Sequence, residues 1–253
     1  MSKQARVRTR ELREVQRVAA EQQARRKLII ARVSGVVIVA LLVAIGFAAF
    51  TAVSGGDETA APDRVVAPAN LTEGGAIPVG EADAPVTVEI FFDYMCPACG
   101  AFESANGEEL DRLVEDGTVR VELRPISFLD RTSNGTEYST RTANAIATAV
   151  DGAPEQAWAF HRSLYAAQPE EGTDGLDDER IAEIAQEAGV PADVVDRFGD
   201  RTYEGWVASV TQEAFDSGVT GTPTVMIDGE EFDGDLFTEG PLAQAIESAA
   251  AGQ

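Results

Sequence analysis

Cysteine occurs twice in the 253 residues, as Cys96 and Cys99, and only Pro97 and Ala98 separate the pair. One turn of helix brings two side chains at this spacing close enough to form a disulfide bond. Such a pair can alternate between a dithiol and a disulfide, because a thiolate can attack the sulfur of a disulfide. The sequence therefore predicts reversible thiol–disulfide chemistry at Cys96 and Cys99.

The elements around the pair predict where it lies in the fold. Residues 86–92 are rich in β-branched and aromatic side chains and predict a buried strand that leads directly to Cys96. Apolar residues after Cys99 predict a helix that ends near Gly117, and residues 119–125 predict a second strand. Cys96 is therefore expected at a helix N-terminus, where free N–H groups and the helix dipole lower a thiol pKa. Pro97 suits the first helical turn, which leaves its nitrogen without a partner anyway.

The second half of the chain predicts an inserted helical region and then a hairpin. No strand-like run occurs from about residue 132 to residue 217, whereas Ile181, Ile184 and Ala188 follow a helical spacing. Residues 224–232 predict two strands joined by the turn Asp228-Gly229. A last helix is expected from Pro241 onwards. The order of elements predicts an α/β fold.

The N-terminal part predicts a membrane anchor. Residues 33–53 contain no charged side chain, and 21 such residues can span a bilayer as a helix. Residues 1–32 hold ten Lys or Arg against three Glu, which predicts a cytoplasmic N-terminus and an extracytoplasmic remainder. A cleaved signal peptide is the alternative, although this segment is oversized for one. The expected organisation is a basic arm over 1–32, one transmembrane anchor over 33–53, a flexible tether over 54–79 and a domain over 80–253, with a helical insertion at about 129–217.

The charge of the chain argues against two classes of partner. Residues 54–253 hold forty acidic side chains and ten Arg, and no Lys occurs after Lys27. A surface of this net charge repels nucleic acids and anionic lipids, so neither is an expected partner of the exported part.

Two motifs together resemble the DsbA-like branch of the thioredoxin superfamily in its membrane-anchored form. They are Phe91-Phe92-Asp93-Tyr94-Met95-Cys96-Pro97-Ala98-Cys99-Gly100 and Gly221-Thr222-Pro223-Thr224. The resemblance covers about residues 76–250 and implies a thioredoxin-like core with an inserted helical domain. It also implies that Cys96 is the nucleophile, that Cys99 is the resolving thiol, and that Pro223 is a cis-proline facing them. Thr222 would then present its backbone to a substrate segment.

The resemblance implies an extracytoplasmic thiol–disulfide oxidoreductase at the cell membrane that oxidises cysteine pairs in exported proteins. Its expected partners are those substrates and a quinone-linked membrane protein of the DsbB or VKOR type that reoxidises the pair. Two alternatives stay open: a binding module that presents Thr222 and Pro223 to one client, and a disulfide reductase or isomerase. No cofactor is expected, and two Cys with one distant His leave a tetrahedral zinc site one ligand short.

Two residues depart from the family pattern and affect how the pair is tuned. Ala98 stands where DsbA commonly has a histidine, so one stabiliser of the thiolate is missing. Ile90 stands where many relatives hold a buried carboxylate, and Glu89 points to the other face of the strand. Asp93 or Glu89 could accept a proton through water, although a surface or capping role is the expected one for both. We expect a Cys96 pKa below the free value of about 8.5, but less depressed than in DsbA.

The single histidine, His161, allows two interpretations. A Cys–His hydrolase dyad is conceivable. No nucleophile signature lies near it in the sequence, so a surface or packing histidine in the helical region is expected.

Overall fold

The computed structural model describes residues 65–252. The predicted basic arm, the predicted anchor and the first part of the predicted tether, up to residue 64, lie outside these residues. Within residues 65–252, no helix is both long enough and apolar enough to cross a membrane.

A mixed five-stranded sheet forms the centre of the described part, in the order β1-β3-β2-β4-β5. The strands are β1 (Ile77–Val79), β2 (Val86–Phe92), β3 (Val119–Pro125), β4 (Thr224–Ile227) and β5 (Glu230–Glu231). β2 and β3 are parallel, and every other neighbouring pair is antiparallel. The bounds predicted for β2 and β3 are confirmed, as is the hairpin of β4 and β5, because dense β-branched runs next to turn residues leave few alternatives.

Seven α-helices accompany the sheet in residues 65–252. They are α1 (Pro97–Glu115), α2 (Tyr138–Gly152), α3 (Ala157–Ala166), α4 (Asp178–Glu187), α5 (Ala192–Val195), α6 (Glu204–Asp216) and α7 (Pro241–Ala251). α1 connects β2 to the parallel β3, and it packs with α7 against the sheet. The five helices α2 to α6 all lie between β3 and β4, and α6 returns to contact β3. The mixed α/β fold expected from the sequence is confirmed.

The predicted tether over residues 54–79 is wrong at its C-terminal end. Residues 77–79 form β1, which pairs with β3 through Ile77 opposite Leu123 and Val79 opposite Val121. The side chain of Ile77 is completely buried. A strand of three residues is too short to show a period, and Pro78 argues against a strand except at the edge of a sheet, where β1 lies.

Replacement of Ile77 by alanine tests whether β1 belongs to the fold. Ile77→Ala is expected to lower the free energy of unfolding by about 2–4 kcal/mol, because it leaves a cavity in the core. Urea denaturation of the wild type and the variant measures this difference. Val66→Ala is the control, because Val66 is 51% exposed and its truncation leaves no cavity in the core. An Ile77→Ala effect as small as that of Val66→Ala would contradict the assignment.

Candidate functional site

The two cysteines lie at the N-terminus of α1. Cys96 is the N-cap residue, and its carbonyl oxygen accepts hydrogen bonds from the N–H groups of Cys99 (3.0 Å) and Gly100 (3.2 Å). Pro97 is the first helical residue, as its missing N–H allows. Both cysteines are free thiols, and Cys96 is 7% exposed against 1% for Cys99. Cys96 is therefore the sulfur that a partner reaches first.

The loop before β4 meets the cysteines from the opposite side. The thiol of Cys96 donates a hydrogen bond to the carbonyl oxygen of Thr222 at 3.3 Å. The peptide bond between Thr222 and Pro223 is cis. β4 pairs with β2, with Thr224 opposite Phe91, and this pairing carries the loop to the end of the strand that leads to Cys96. The fold thus brings together residues that are 126 positions apart.

The remaining two predicted site residues lie between the cysteines. Pro97 is exposed and Ala98 is half-buried in the first turn of α1. All six residues expected from the sequence at this site therefore lie at the start of α1 or in the loop before β4.

The local environment shifts the pKa values of the two thiols in opposite directions. The pKa of Cys96 is lowered to about 6, first by a hydrogen bond from the Cys99 thiol, against an opposing effect of burial. Hydrogen bonding by the Thr222 side chain and by the N–H groups of Cys99 and Ala98 lowers it further. Burial raises the pKa of Cys99 well above its usual value, and the hydrogen bond and charge of Cys96 raise it further. The lowering expected for Cys96 is confirmed. The site therefore holds a thiolate at Cys96 and a neutral thiol at Cys99 near pH 7.

Alkylation of the reduced protein measures this difference. The reaction rate of Cys96 with iodoacetamide is expected to reach half its maximum near pH 6, because only the thiolate reacts. Cys99 is expected to stay unmodified over the same pH range, because it is buried and protonated. Mass spectrometry of peptides that contain each cysteine separates the two rates. An inflection for Cys96 near the free-thiol value of about 8.5 would contradict the assignment.

Asp93 is buried, so the surface role expected for it is wrong, and a capping role covers only the local one of its three hydrogen bonds. Its side chain is 0% exposed and accepts hydrogen bonds from the Met95 N–H (2.8 Å), the Leu129 N–H (2.8 Å) and the Ser139 hydroxyl (2.6 Å). Burial raises the pKa of Asp93 to about 6, although the three hydrogen bonds lower it and the charge of Asp130 raises it slightly. The bond to Met95 is local, whereas the other two donors belong to the chain after β3. Asp93 therefore ties the turn before Cys96 to the helical region.

Ile90 and Glu89, the two positions expected to affect the thiol pKa values, lie in different surroundings. Ile90 is a core residue at 3% exposure, as its apolar character predicts. Glu89 is half-buried and forms an ion pair with Arg124 on the neighbouring strand. Arg124 also donates to the carbonyl oxygen of Gly74 at 2.8 Å. Glu89 is thus engaged in the sheet and is a poor candidate for a proton acceptor at the cysteines.

His161 is a packing histidine of α3, as one of the two sequence interpretations predicts. Its Nδ1 lies 3.0 Å from the hydroxyl oxygen of Tyr94, and its ring stacks on Trp158 at a centroid distance of 5.3 Å. Its Nε2 lies 3.7 Å from Glu103, which also forms an ion pair with Arg162 at 2.7 Å. These contacts occupy the ring between aromatic and charged neighbours, so the hydrolase interpretation has no support.

Gln168 is a site residue that the sequence did not reveal. It follows α3, and its side-chain amide donates to the carbonyl oxygens of Cys96 (2.8 Å) and Tyr94 (3.1 Å). A single glutamine in a polar stretch carries no pattern, so only the three-dimensional contact identifies it.

A cleft of about 390 Å³ opens beside the loop that carries Thr222. Thr220 and Thr224 line it on either side of that loop, and Phe91, Val219 and Met226 contribute apolar surface. Its volume falls in the range of ordinary binding pockets. It can accept side chains of a segment that lies across the loop.

The thioredoxin family model matches residues 72–247. Among solved structures, the reduced form of the disulfide bond oxidoreductase DsbG from Mycobacterium tuberculosis is similar, with 30% identity, a TM-score of 0.60 and coverage of 71% of this chain and 94% of that one. MdbA of Actinomyces oris, described as a thiol–disulfide oxidoreductase, has 25% identity, a TM-score of 0.64 and coverage of 75% and 93%.

One curated relative matches this chain over only a small part of its own length. The serine/threonine-protein kinase PknE of Mycobacterium tuberculosis is 32% identical over 115 residues, which is 44% of this chain. The match spans only 20% of the length of PknE. The similarity therefore concerns one part of that protein.

Proposed function

The chain belongs to the thioredoxin family, and we propose that it is a thiol–disulfide oxidoreductase that oxidises cysteine pairs in exported proteins through a reversible Cys96–Cys99 disulfide. One observation carries this function: the thiol of Cys96, whose pKa is lowered to about 6, lies against the Thr222 carbonyl and one helical turn from the buried Cys99. This arrangement supplies an accessible sulfur that leaves readily and a protected sulfur that completes the exchange.

The exchange transfers two electrons from the client to the cysteine pair. A client thiolate attacks Sγ of Cys96 in the disulfide form, the S–S bond breaks, and Cys99 leaves and takes up a proton. The second client thiolate then attacks the client sulfur of the mixed disulfide, and Cys96 leaves as a thiolate. The client is oxidised to a disulfide, and the pair is reduced to a dithiol.

The pKa of Cys96 favours the oxidising direction. A folded-state pKa lowered to about 6 stabilises the dithiol form wherever the pH exceeds that value, and the disulfide form gains nothing from it. This contribution amounts to about 1 kcal/mol at pH 7 and is lost as the pH falls through about 6. A stabilised dithiol makes the disulfide a stronger oxidant.

The proposed location is the outer side of the cell membrane, with residues 33–53 as a single-pass anchor and the N-terminus in the cytoplasm. The uncharged run over 33–53 and the excess of Lys and Arg over 1–32 support it. Disulfides persist outside the cytoplasm, which suits an oxidase. The proposed reoxidising partner is a quinone-linked membrane protein of the DsbB or VKOR type.

Catalysed oxidation of a reduced model protein tests the function. Substoichiometric amounts of the protein, with glutathione disulfide as the final oxidant, are expected to introduce disulfides faster than glutathione disulfide alone. The number of disulfides formed per molecule of protein distinguishes turnover from a single exchange. One disulfide or fewer per molecule would reject an oxidase and favour a module that binds one client.

A further inference from the structure

The side chain of Gln168 links the helical region to the active-site turn. Its Nε2 donates to the carbonyl oxygens of Cys96 at 2.8 Å and Tyr94 at 3.1 Å. Gln168 itself is half-buried and lies two residues after the end of α3. One side chain therefore holds two carbonyl groups on either side of Met95.

The carbonyl of Cys96 is the group that closes the first turn of α1. It accepts from the N–H groups of Cys99 and Gly100 as well as from Gln168. The direction of this carbonyl fixes the Cys96 backbone, and with it the position of the sulfur relative to the N–H groups of Ala98 and Cys99. Those two N–H groups contribute to the lowered pKa of Cys96. Movement of the turn would weaken these contacts with the thiolate.

Gly100 provides a second, independent observation. A Cβ atom at this position would overlap Oε1 of Gln168 and approach its Cδ to 3.0 Å. Gly100 lies inside α1, where alanine stabilises a helix more than glycine does. Its backbone is helical, so no unusual conformation calls for a glycine. The glycine leaves the space that the Gln168 side chain occupies.

We propose that Gln168 is a positioning residue for Cys96. The Gln168 side chain holds the active-site turn so that the N–H groups of Ala98 and Cys99 face the Cys96 thiolate. The helical region between β3 and β4 thereby controls the reactivity of the cysteine pair through one side chain. The effect on turnover rests on the proposed oxidoreductase function, whereas the effect on thiol ionisation does not.

The test compares Gln168→Ala, Gly100→Ala, the double variant and the control Gln186→Ala in the full chain. Gln186 is an exposed glutamine of α4. The pH dependence of Cys96 alkylation by iodoacetamide reports its pKa, and steady-state oxidation of a reduced model protein reports kcat and KM. Thermal unfolding midpoints report whether each variant keeps its fold.

Gln168→Ala is expected to raise the pKa of Cys96 and to lower its alkylation rate at pH 6 by about threefold or more, with a fall in kcat and little change in KM. Gly100→Ala displaces Gln168 and is expected to give the same shift, while its unfolding midpoint stays equal or rises, because alanine favours the helix. The double variant is expected to match the single variants, since both remove one contact. Gln186→Ala should behave as the wild type.

Unchanged alkylation profiles in Gln168→Ala and Gly100→Ala would overturn the proposal. Additive shifts in the double variant would also overturn it, because they would mean two separate causes. If Gln168→Ala fails to fold, Gly100→Ala alone decides the question. The added Cβ meets only the end of the flexible Gln168 side chain, so this variant is expected to keep its fold. A pKa shift without any turnover in the wild type would reject the proposed function and leave the positioning role standing.

Discussion

Cys96→Ser is expected to abolish catalysed oxidation of a reduced model protein, with a loss of at least about 1,000-fold. A hydroxyl can neither form the disulfide with Cys99 nor carry the mixed disulfide with the client. Cys96 is also the sulfur that lies against Thr222, at the surface that a client can approach. Turnover per molecule of protein, measured with glutathione disulfide as the oxidant, gives the size of the loss.

Cys99→Ser is the matched control, because it changes the same atom one helical turn away. This variant keeps the Cys96 thiolate but lacks the thiol that releases a client attached to Cys96. We expect mixed disulfides on Cys96 to accumulate, and non-reducing electrophoresis followed by mass spectrometry detects them. A Cys96→Ser variant that keeps a tenth of wild-type activity would contradict the assigned roles. So would mixed disulfides that accumulate on Cys99 in Cys96→Ser but not on Cys96 in Cys99→Ser.

Asp93→Ala is expected to lower the free energy of unfolding by about 4 kcal/mol at pH 4 and by about 2 kcal/mol at pH 8. The substitution leaves three buried donors without an acceptor: the Met95 N–H, the Leu129 N–H and the Ser139 hydroxyl. Urea denaturation of both proteins across this pH range measures the difference. The loss should also loosen the turn before Cys96, because Asp93 joins that turn to the chain after β3.

The pH dependence follows from the pKa of Asp93, which burial raises from 3.8 to about 6. The folded state therefore binds more protons than the unfolded state between these values, so the contribution of Asp93 to stability falls as the pH rises through this window. The fall amounts to about 2 kcal/mol between pH 4 and pH 8 in the wild type and is absent in the variant.

Asp93→Asn separates the charge from the hydrogen bonds. Asparagine keeps one oxygen for the Met95 and Ser139 donors and carries no charge at any pH. Its stability relative to the wild type is expected to rise between pH 4 and pH 8 by the same amount as that of Asp93→Ala. A difference between the wild type and Asp93→Asn that does not change with pH would show that Asp93 does not titrate in this window.

The sequence was sufficient for the core elements and for the residues that carry the chemistry. Strands β2 and β3 follow from dense β-branched runs with sharp ends, and α1 follows from apolar spacing after the cysteines. The meeting of Cys96 with Thr222 could be expected only because two separate motifs match one family. Spacing along the chain alone does not predict a contact between residues so far apart.

The sequence does not predict the role of a residue whose contacts lie far away along the chain. The sequence predicts a surface or capping carboxylate at Asp93. The structure buries it, because Leu129 and Ser139 donate hydrogen bonds to it from 36 and 46 residues away. Gln168 gains its role from two backbone carbonyls, which no side-chain pattern encodes. β1 falls within the predicted tether, because three residues that include a proline show no period.

Equilibration of the protein with mixtures of reduced and oxidised glutathione tests the central claim most directly. After acid quenching, mass spectrometry distinguishes the dithiol, the internal disulfide and glutathione adducts. The account predicts one two-electron transition between the dithiol and the Cys96–Cys99 disulfide, with the dithiol increasingly favoured as the pH rises from 5 towards 8 because Cys96 ionises at about 6. A protein that forms only glutathione adducts, or no disulfide at any ratio, would contradict it.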